Sequence, residues 1–156
     1  MLSVFTVSFF GHRYIDNFKT VEDQVYSLVF QLIRDLEYVE FLVGRNGDFD
    51  QIASSCIVKI KKTYNESNSN HTWVMPYLSS DYLKNKDCYE SYYDTIEVCD
   101  LSAQAHPKAA IQIRNRVIVD RSDLCVFFVK SKSGGAWQTM QYALKSNKHI
   151  INLAEK

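Results

Sequence analysis

The sequence predicts an α/β domain in which a mainly parallel sheet is covered by helices on both faces. Short β-branched and aromatic runs recur along the chain, as buried strands do. Between them lie segments whose apolar residues repeat every three or four positions, as in amphipathic helices. This alternation of strand and helix is typical of parallel sheets with right-handed crossovers. At 156 residues, the chain fits a single Rossmann-like three-layer domain over residues 1–156.

Six runs predict the strands. Residues 3–10, SVFTVSFF, show no helical period, and residues 124–129, LCVFFV, form the most hydrophobic run in the chain. The other strands are expected at 38–43, 72–77, 95–98 and 149–153. Helices are predicted over 18–37, from 49 up to the polar stretch at 65–70, over 107–122 and over 136–145. Residues 78–94 are predicted to be a long, tyrosine-rich connection whose tyrosines pack it down.

Composition narrows the classes of function. With 46% hydrophobic residues the chain is not disordered, and its 18 basic residues balance 18 acidic ones. Without a net positive charge, a nucleic-acid partner is not expected. The apolar run at the N-terminus is too short to span a bilayer and follows no basic segment, so we expect a cytoplasmic protein without a membrane partner.

The cysteines give no sign of a metal site. The sequence has four of them, and none forms a CxxC pair. We interpret them as reduced thiols, since their spacings fit no zinc finger or ribbon, and zinc stays the alternative. No metal ligand is therefore predicted.

Three strand-to-helix turns have unusual sequences: Gly11-His12-Arg13, residues 44–48 (GRNGD) and residues 133–136 (SGGA). All three should open at the carboxyl edge of the sheet, where such folds bind ligands. Glycine allows close backbone approach, and free amides at a helix start attract phosphate. Glycine also serves turns for conformational reasons alone. The fingerprint GxGxxG and the Walker phosphate loop are absent.

Several side chains could complete an anion site at this edge. Arg114 would reach the edge if its helix points that way, and Arg13 and Arg45 lie in the turns. His12 is either structural or a ligand contact, and Asp50 either caps its helix or holds a ribose hydroxyl. The predicted ligand-binding residues are Gly11, His12, Arg13, Gly44, Asn46, Gly47, Asp50, Arg114, Ser133, Gly134, Gly135, Ala136 and Thr139.

Four motifs together resemble the SLOG superfamily, the Rossmann-like proteins related to the "lonely guy" (LOG) phosphoribohydrolases and to DprA. They are SFFGHR at 8–13, VGRNGDFD at 43–50, RNRVIVDRSD at 114–123 and SGGAWQTMQYA at 133–143. They follow the expected order, cover nearly the whole chain, and look closest to the small bacterial YpsA-like branch. The resemblance implies a nucleotide ligand such as AMP, ADP-ribose or an NAD derivative, and a homodimer. No other cofactor is predicted.

The chain departs from the LOG pattern where catalysis would occur. LOG enzymes carry an Arg-Lys pair and then PGGxGTxxE, and the arginine is matched here by Arg114 and the lysine by Asn115. The glutamate position holds Gln141, whose amide cannot take a proton at neutral pH. The phosphate-binding half of the pattern survives: the amides of residues 134–136, with Thr139 and Arg114.

These observations leave three functions open. The leading hypothesis is a domain that binds or senses a nucleotide or nucleotide-sugar. The alternative is an N-glycosidase or phosphoribohydrolase that uses another carboxylate, Asp50 or Asp48, with Asp50 and Arg114 as catalytic candidates. A DprA-like interaction or nucleic-acid module is the third, and the neutral charge argues against nucleic acid.

Overall fold

The computed structural model describes residues 2–155 and is built around a six-stranded sheet. Its strands are β1 (Val4–Gly11), β2 (Tyr38–Val43), β3 (Ser69–Met75), β4 (Thr95–Val98), β5 (Leu124–Phe128) and β6 (His149–Asn152). They lie in the order β4-β3-β2-β1-β5-β6, and every neighbouring pair is parallel. The predicted α/β Rossmann-like fold is confirmed.

Helices cover both faces of the sheet. They are α1 (Phe18–Asp35), α2 (Asp48–Tyr64), α3 (Ser80–Lys84), α4 (Lys86–Tyr92), α5 (Asp100–Ala103), α6 (Pro107–Arg121) and α7 (Gly135–Lys145). Because successive strand residues point to opposite faces, Phe9 and Phe10 of β1 enter different cores. Phe9 packs in the core that includes the buried residues of α1 and α2, and Phe10 in the one that includes those of α6 and α7.

The order of the strands fixes where a ligand can enter. From β1 the chain moves outward through β2 and β3 to β4, and after α6 it returns to pair β5 with the other side of β1. Gly11 at the end of β1 is in register with Phe128 at the end of β5. In open α/β sheets, the crevice beyond such a reversal point is the usual ligand site.

Residues 78–94 differ from their predicted form. The segment predicted as a long connection contains two short helices, α3 and α4, and the short helix α5 that follows was not predicted either. The Ser79 hydroxyl caps α3 by accepting the Tyr82 amide at 3.2 Å. The Tyr82 and Tyr93 rings are buried and lie 6.0 and 5.2 Å from the Trp73 ring. Helices this short depend on such tertiary packing, so their own periodicity cannot reveal them.

Among residues 2 to 155, none of the helices combines the length and the apolarity that a bilayer-spanning segment needs. All four cysteines are free thiols; Cys56, Cys99 and Cys125 are buried, and Cys88 is exposed.

A buried polar pair joins α2 to β3. The His71 ring is 1% exposed, and its Nε2 lies 2.9 Å from Oγ of Ser54. Its Nδ1 has no hydrogen-bond partner among the described residues. Burial lowers the pKa of His71 from 6.5 to about 4, so the ring is neutral at physiological pH.

We predict that Gly11→Ala destabilises the fold. A Cβ at Gly11 would lie 2.4 Å from the Phe49 ring, and Phe49 is fully buried beside Phe128. Such overpacking costs about 1–3 kcal/mol. Urea unfolding measures this loss, and Ser133→Ala, at an exposed position, serves as the control. Equal unfolding midpoints for Gly11→Ala and wild type would refute the packing.

We predict that His71 makes stability fall as the pH is lowered. Its folded pKa is depressed, so the contribution of the neutral ring is complete above pH 6.5 and is lost as the pH falls from 6.5 to about 4. The full loss is roughly 3 kcal/mol. The measurement is the unfolding free energy of wild type and His71→Gln across this range, where the wild-type curve should fall more steeply. Parallel curves would contradict the assignment.

Candidate functional site

A cleft of about 380 Å³ opens at the reversal point of the sheet. It brings together the ends of β1 and β2, the turns that follow them, the middle of α6 and the start of α7. The lining residues are Phe9, Phe10, Gly11, His12, Arg13, Gly44, Asn46, Asp50, Ile111, Gln112, Arg114, Asn115, Gly134, Gly135 and Ala136. The three glycine-bearing turns singled out in the sequence thus converge on one cleft.

Arg114 brings a buried positive charge to the cleft. Arg114 is only 2% exposed. Its Nη1 donates to the Val74 carbonyl at 2.7 Å, and its Nε donates to Oδ1 of Asn115 at 2.9 Å. Burial lowers the pKa of Arg114 and the charge of Asp50 opposes this, yet an arginine stays protonated in proteins. Among the described residues these contacts account for two of its five N–H donors.

Gly44 lies close to both the Arg114 guanidinium and the Asp50 carboxyl group. A Cβ at Gly44 would be 3.2 Å from both terminal nitrogens of Arg114 and 3.2 Å from Oδ2 of Asp50. The same Oδ2 accepts the Asn46 amide at 2.8 Å, just ahead of α2. Burial raises the pKa of Asp50, while the Asn46 amide and the Arg114 charge oppose that rise. Asp50 therefore both fixes the turn and faces the cleft.

The start of α7 supplies backbone donors. Gly134 adopts φ 92°, a left-handed conformation that favours glycine, and precedes the first residue of this 11-residue helix. The first N–H groups of a helix have no partner within it, and the helix dipole makes them attractive to anions. Because Gly134, Gly135 and Ala136 line the cleft, this end of α7 can hold a negatively charged group.

A buried hydrogen-bond network positions α7 against α6. Nδ2 of Asn115 donates to Oγ1 of Thr139 at 3.0 Å, and that hydroxyl donates to the Gly135 carbonyl at 3.0 Å. Thr139 is fully buried and is not among the residues that line the cleft. Thr139 was predicted to bind phosphate, but in the structure it does not line the cleft. Its hydrogen bonds can instead position the start of α7.

His12 links the ends of two strands. Its Nε2 accepts the Lys130 amide at 2.8 Å, so the proton of the neutral ring is assigned to Nδ1. Burial and then the charge of Lys130 lower the pKa of His12. His12 thus has the structural role that the sequence left open, and it also lines the cleft.

Other predicted residues lie beside the cleft. Ser133 is exposed next to Gly134. Gly47 allows close backbone approach, because a Cβ there would be 2.4 Å from Cα of Arg13. Arg45 does not join Arg13 and Arg114: its Nη1 donates to the Tyr93 hydroxyl at 3.0 Å, and its guanidinium stacks 4.8 Å above the Tyr89 ring.

Sequence reasoning did not assign a site role to two polar residues of α6. Asn115 lines the cleft and also bonds Arg114, and Gln112 lines it while donating to the Gly135 carbonyl at 3.1 Å. Residues three apart share a helix face, so the spacing of Gln112 and Asn115 was a usable signal. Within residues 2–155, no group of three or more His, Cys, Asp or Glu side chains is placed to hold a metal ion.

Comparison with known proteins shows the fold. No protein-family model and no curated protein matches the chain. Among solved structures, DNA processing protein A from Helicobacter pylori matches with TM-score 0.65 and 15% identity over 94% of this chain and 63% of that one. The Streptococcus pneumoniae protein DprA matches with TM-score 0.66 and 15% identity, over 96% of this chain and 50% of that one.

A third solved structure is similar over most of both chains. The molybdenum cofactor carrier protein from Chlamydomonas reinhardtii matches with TM-score 0.58 and 15% identity, over 97% of this chain and 78% of that one. The chain therefore has the same fold as these three solved structures, which include the DNA processing proteins to whose superfamily its motifs show a resemblance. The chain spans only 63% and 50% of the two DNA processing proteins.

Proposed function

We propose that the cleft binds the phosphate of a nucleotide or nucleotide-sugar, such as AMP, ADP-ribose or an NAD derivative, and that the chain is a binding or sensing domain. The observation that carries this proposal is the buried Arg114 guanidinium in the same cleft as the free amides at the start of α7.

The charge balance of the cleft favours an anion. The buried charge of Arg114 is costly unless it is fully compensated. The carboxylate nearest to it, that of Asp50, also accepts the Asn46 amide and so compensates it only in part. A phosphate offers acceptors that match both a guanidinium and helix-terminal amides. Binding such a group would therefore satisfy donors that the folded chain leaves available.

The shape of the cleft suits a small organic phosphate. Its volume of about 380 Å³ lies within the range of small-ligand sites. Phe9, Phe10 and Ile111 supply apolar surface for a ribose or base, and His12, Gln112 and Asn115 supply polar groups that could orient it.

The similar structures are compatible with this proposal. One is described as a cofactor carrier, and another as a protein that binds single-stranded DNA, a polymer of nucleotides. Binding of a whole DNA strand is less favoured here, because basic and acidic residues are equal at 18 each and Arg45 is turned away from the cleft.

We predict that AMP or ADP-ribose stabilises the protein through Arg114. A ligand at 100 times its dissociation constant should add about 2.7 kcal/mol to the free energy of unfolding. Arg114→Gln should weaken binding by roughly tenfold or more, because it removes charge-assisted hydrogen bonds. Thermal shift and calorimetric titration measure both effects.

Arg116→Gln is the matched control, since Arg116 lies on the same helix, is exposed and stacks on the Tyr142 ring. Its nucleotide affinity should equal that of the wild type. If no nucleotide binds, or if the two variants behave alike, the proposed function is wrong.

A second candidate function is N-glycoside hydrolysis by Asp50. Burial raises the pKa of this carboxyl within the cleft, a property of carboxyls that act as acids. The other proposed carboxylate, Asp48, accepts the Ile15 amide at 2.9 Å and is not among the cleft residues. Gln141, at the position of the LOG glutamate, is not among them either.

This candidate function predicts that AMP and water yield adenine and ribose 5-phosphate, and that Asp50→Asn abolishes the reaction because it removes the carboxyl. Chromatography of the free base measures it, and Asp48→Asn should keep the activity. If the wild type binds AMP but releases no adenine, hydrolysis of AMP is excluded and the binding role stands.

A further inference from the structure

A second cavity, of about 520 Å³, lies next to α2 and α4. Its lining includes Phe18, Arg45, Gln51, Ser54, Tyr89 and Tyr92, and none of its lining residues is acidic. Among the described residues that line it, Arg45 is the single cation. Because Gly44 and Asn46 line the first cleft while Arg45 lines this cavity, the turn after β2 presents different residues to two separate sites.

Arg45 is held in a defined orientation in this cavity. Its guanidinium stacks 4.8 Å above the Tyr89 ring, and Nη1 donates to the Tyr93 hydroxyl at 3.0 Å. The residue remains exposed. Stacking on an aromatic face fixes the plane of the guanidinium, which favours planar, two-point recognition of a carboxylate.

The walls of the cavity are flat and backed by the core. The Tyr92 ring lies 5.0 Å from the Tyr93 ring at an angle of 86°. The buried Trp73 ring lies 5.0 Å from the Tyr89 ring, which lines the cavity, and 5.2 Å from the Tyr93 ring. Aromatic walls held in this way bury a flat ring without losing rotamer freedom on binding.

Ser54 lines the same cavity, and its hydroxyl can donate a hydrogen bond there. Its Oγ lies 2.9 Å from Nε2 of His71. We assign the ring proton to Nε2, because the unpartnered Nδ1 is then a bare acceptor, and a buried unpaired acceptor is tolerated better than a buried unpaired donor. With Nε2 donating to Ser54, the serine hydroxyl hydrogen is directed away from His71, towards the Tyr93 hydroxyl oxygen or an acceptor bound in the cavity.

We propose that this cavity is a second ligand site, which binds a planar aromatic monoanion such as an aromatic carboxylate. The ring packs against Tyr92 and Phe18, and the carboxylate accepts hydrogen bonds from Arg45 and Ser54. One cation, with no acidic residue among the described lining residues, matches a single negative charge. The site does not depend on the function proposed for the first cleft.

The experiment uses the full chain and its two tryptophans, whose indole N–H signals are followed in ¹⁵N–¹H spectra and assigned with Trp137→Phe. Trp73 reports the second cavity, and Trp137, on the first turn of α7, reports the first cleft. Benzoate should shift the Trp73 signal in a saturable way at millimolar concentration and leave that of Trp137 in place.

Matched probes and variants test the chemistry. Cyclohexanecarboxylate keeps the charge without planarity, and benzamide keeps the ring without charge; each should bind benzoate's site roughly tenfold more weakly or worse. Arg45→Gln should weaken the binding of benzoate to a similar extent, and Arg116→Gln should leave it unchanged.

The proposal is overturned if benzoate causes no saturable shift at Trp73, if either analogue binds as tightly as benzoate, or if Arg45→Gln leaves the affinity for benzoate unchanged. AMP titration followed at Trp137 tests the first cleft separately, so failure at one site is distinguishable from failure at the other.

Discussion

A guanidinium placed inside an α/β domain must find partners, and in this protein its partners join three elements of the fold. Arg114 on α6 donates to the carbonyl of Val74 on β3 and to Asn115. Asn115 in turn donates to Thr139 of α7, whose hydroxyl returns to the Gly135 carbonyl. Buried polar groups of this kind are costly unless they are paired, so the network holds α6 and α7 in one relative position. The start of α7 and the positive charge therefore reach the same cleft.

The strand order and the close approach of side chains at Gly44 place this network at a candidate ligand site. The chain reverses direction across the sheet between β1 and β5, which leaves a crevice beyond their carboxyl ends. Gly44 allows Arg114 and Asp50 to approach the backbone closely, since a Cβ there would be 3.2 Å from both. Adding one methyl group at this position would narrow the space in which we expect a phosphate to bind.

Much of this arrangement could be predicted from the sequence, because it follows from local pattern. The aromatic runs of β1 and β5 and the turns at Gly11 and Gly134 lie where periodicity and glycine indicated. The direction of Arg45 could not be predicted, since its partners Tyr89 and Tyr93 lie more than forty residues away. The hydrogen bond of Thr139 within its own helix could have been predicted from the sequence. A threonine in a helix can donate to the carbonyl four residues earlier, and Thr139 donates to that of Gly135.

In the proposed binding mode, the buried charge and the helix start act together on one anionic group. A crystal structure of the protein grown with AMP tests this most directly. We expect the phosphate to lie within hydrogen-bond distance of the Arg114 guanidinium and of backbone amides among residues 134–136. A nucleotide bound elsewhere, or a phosphate directed to solvent with Arg114 untouched, would contradict this mode.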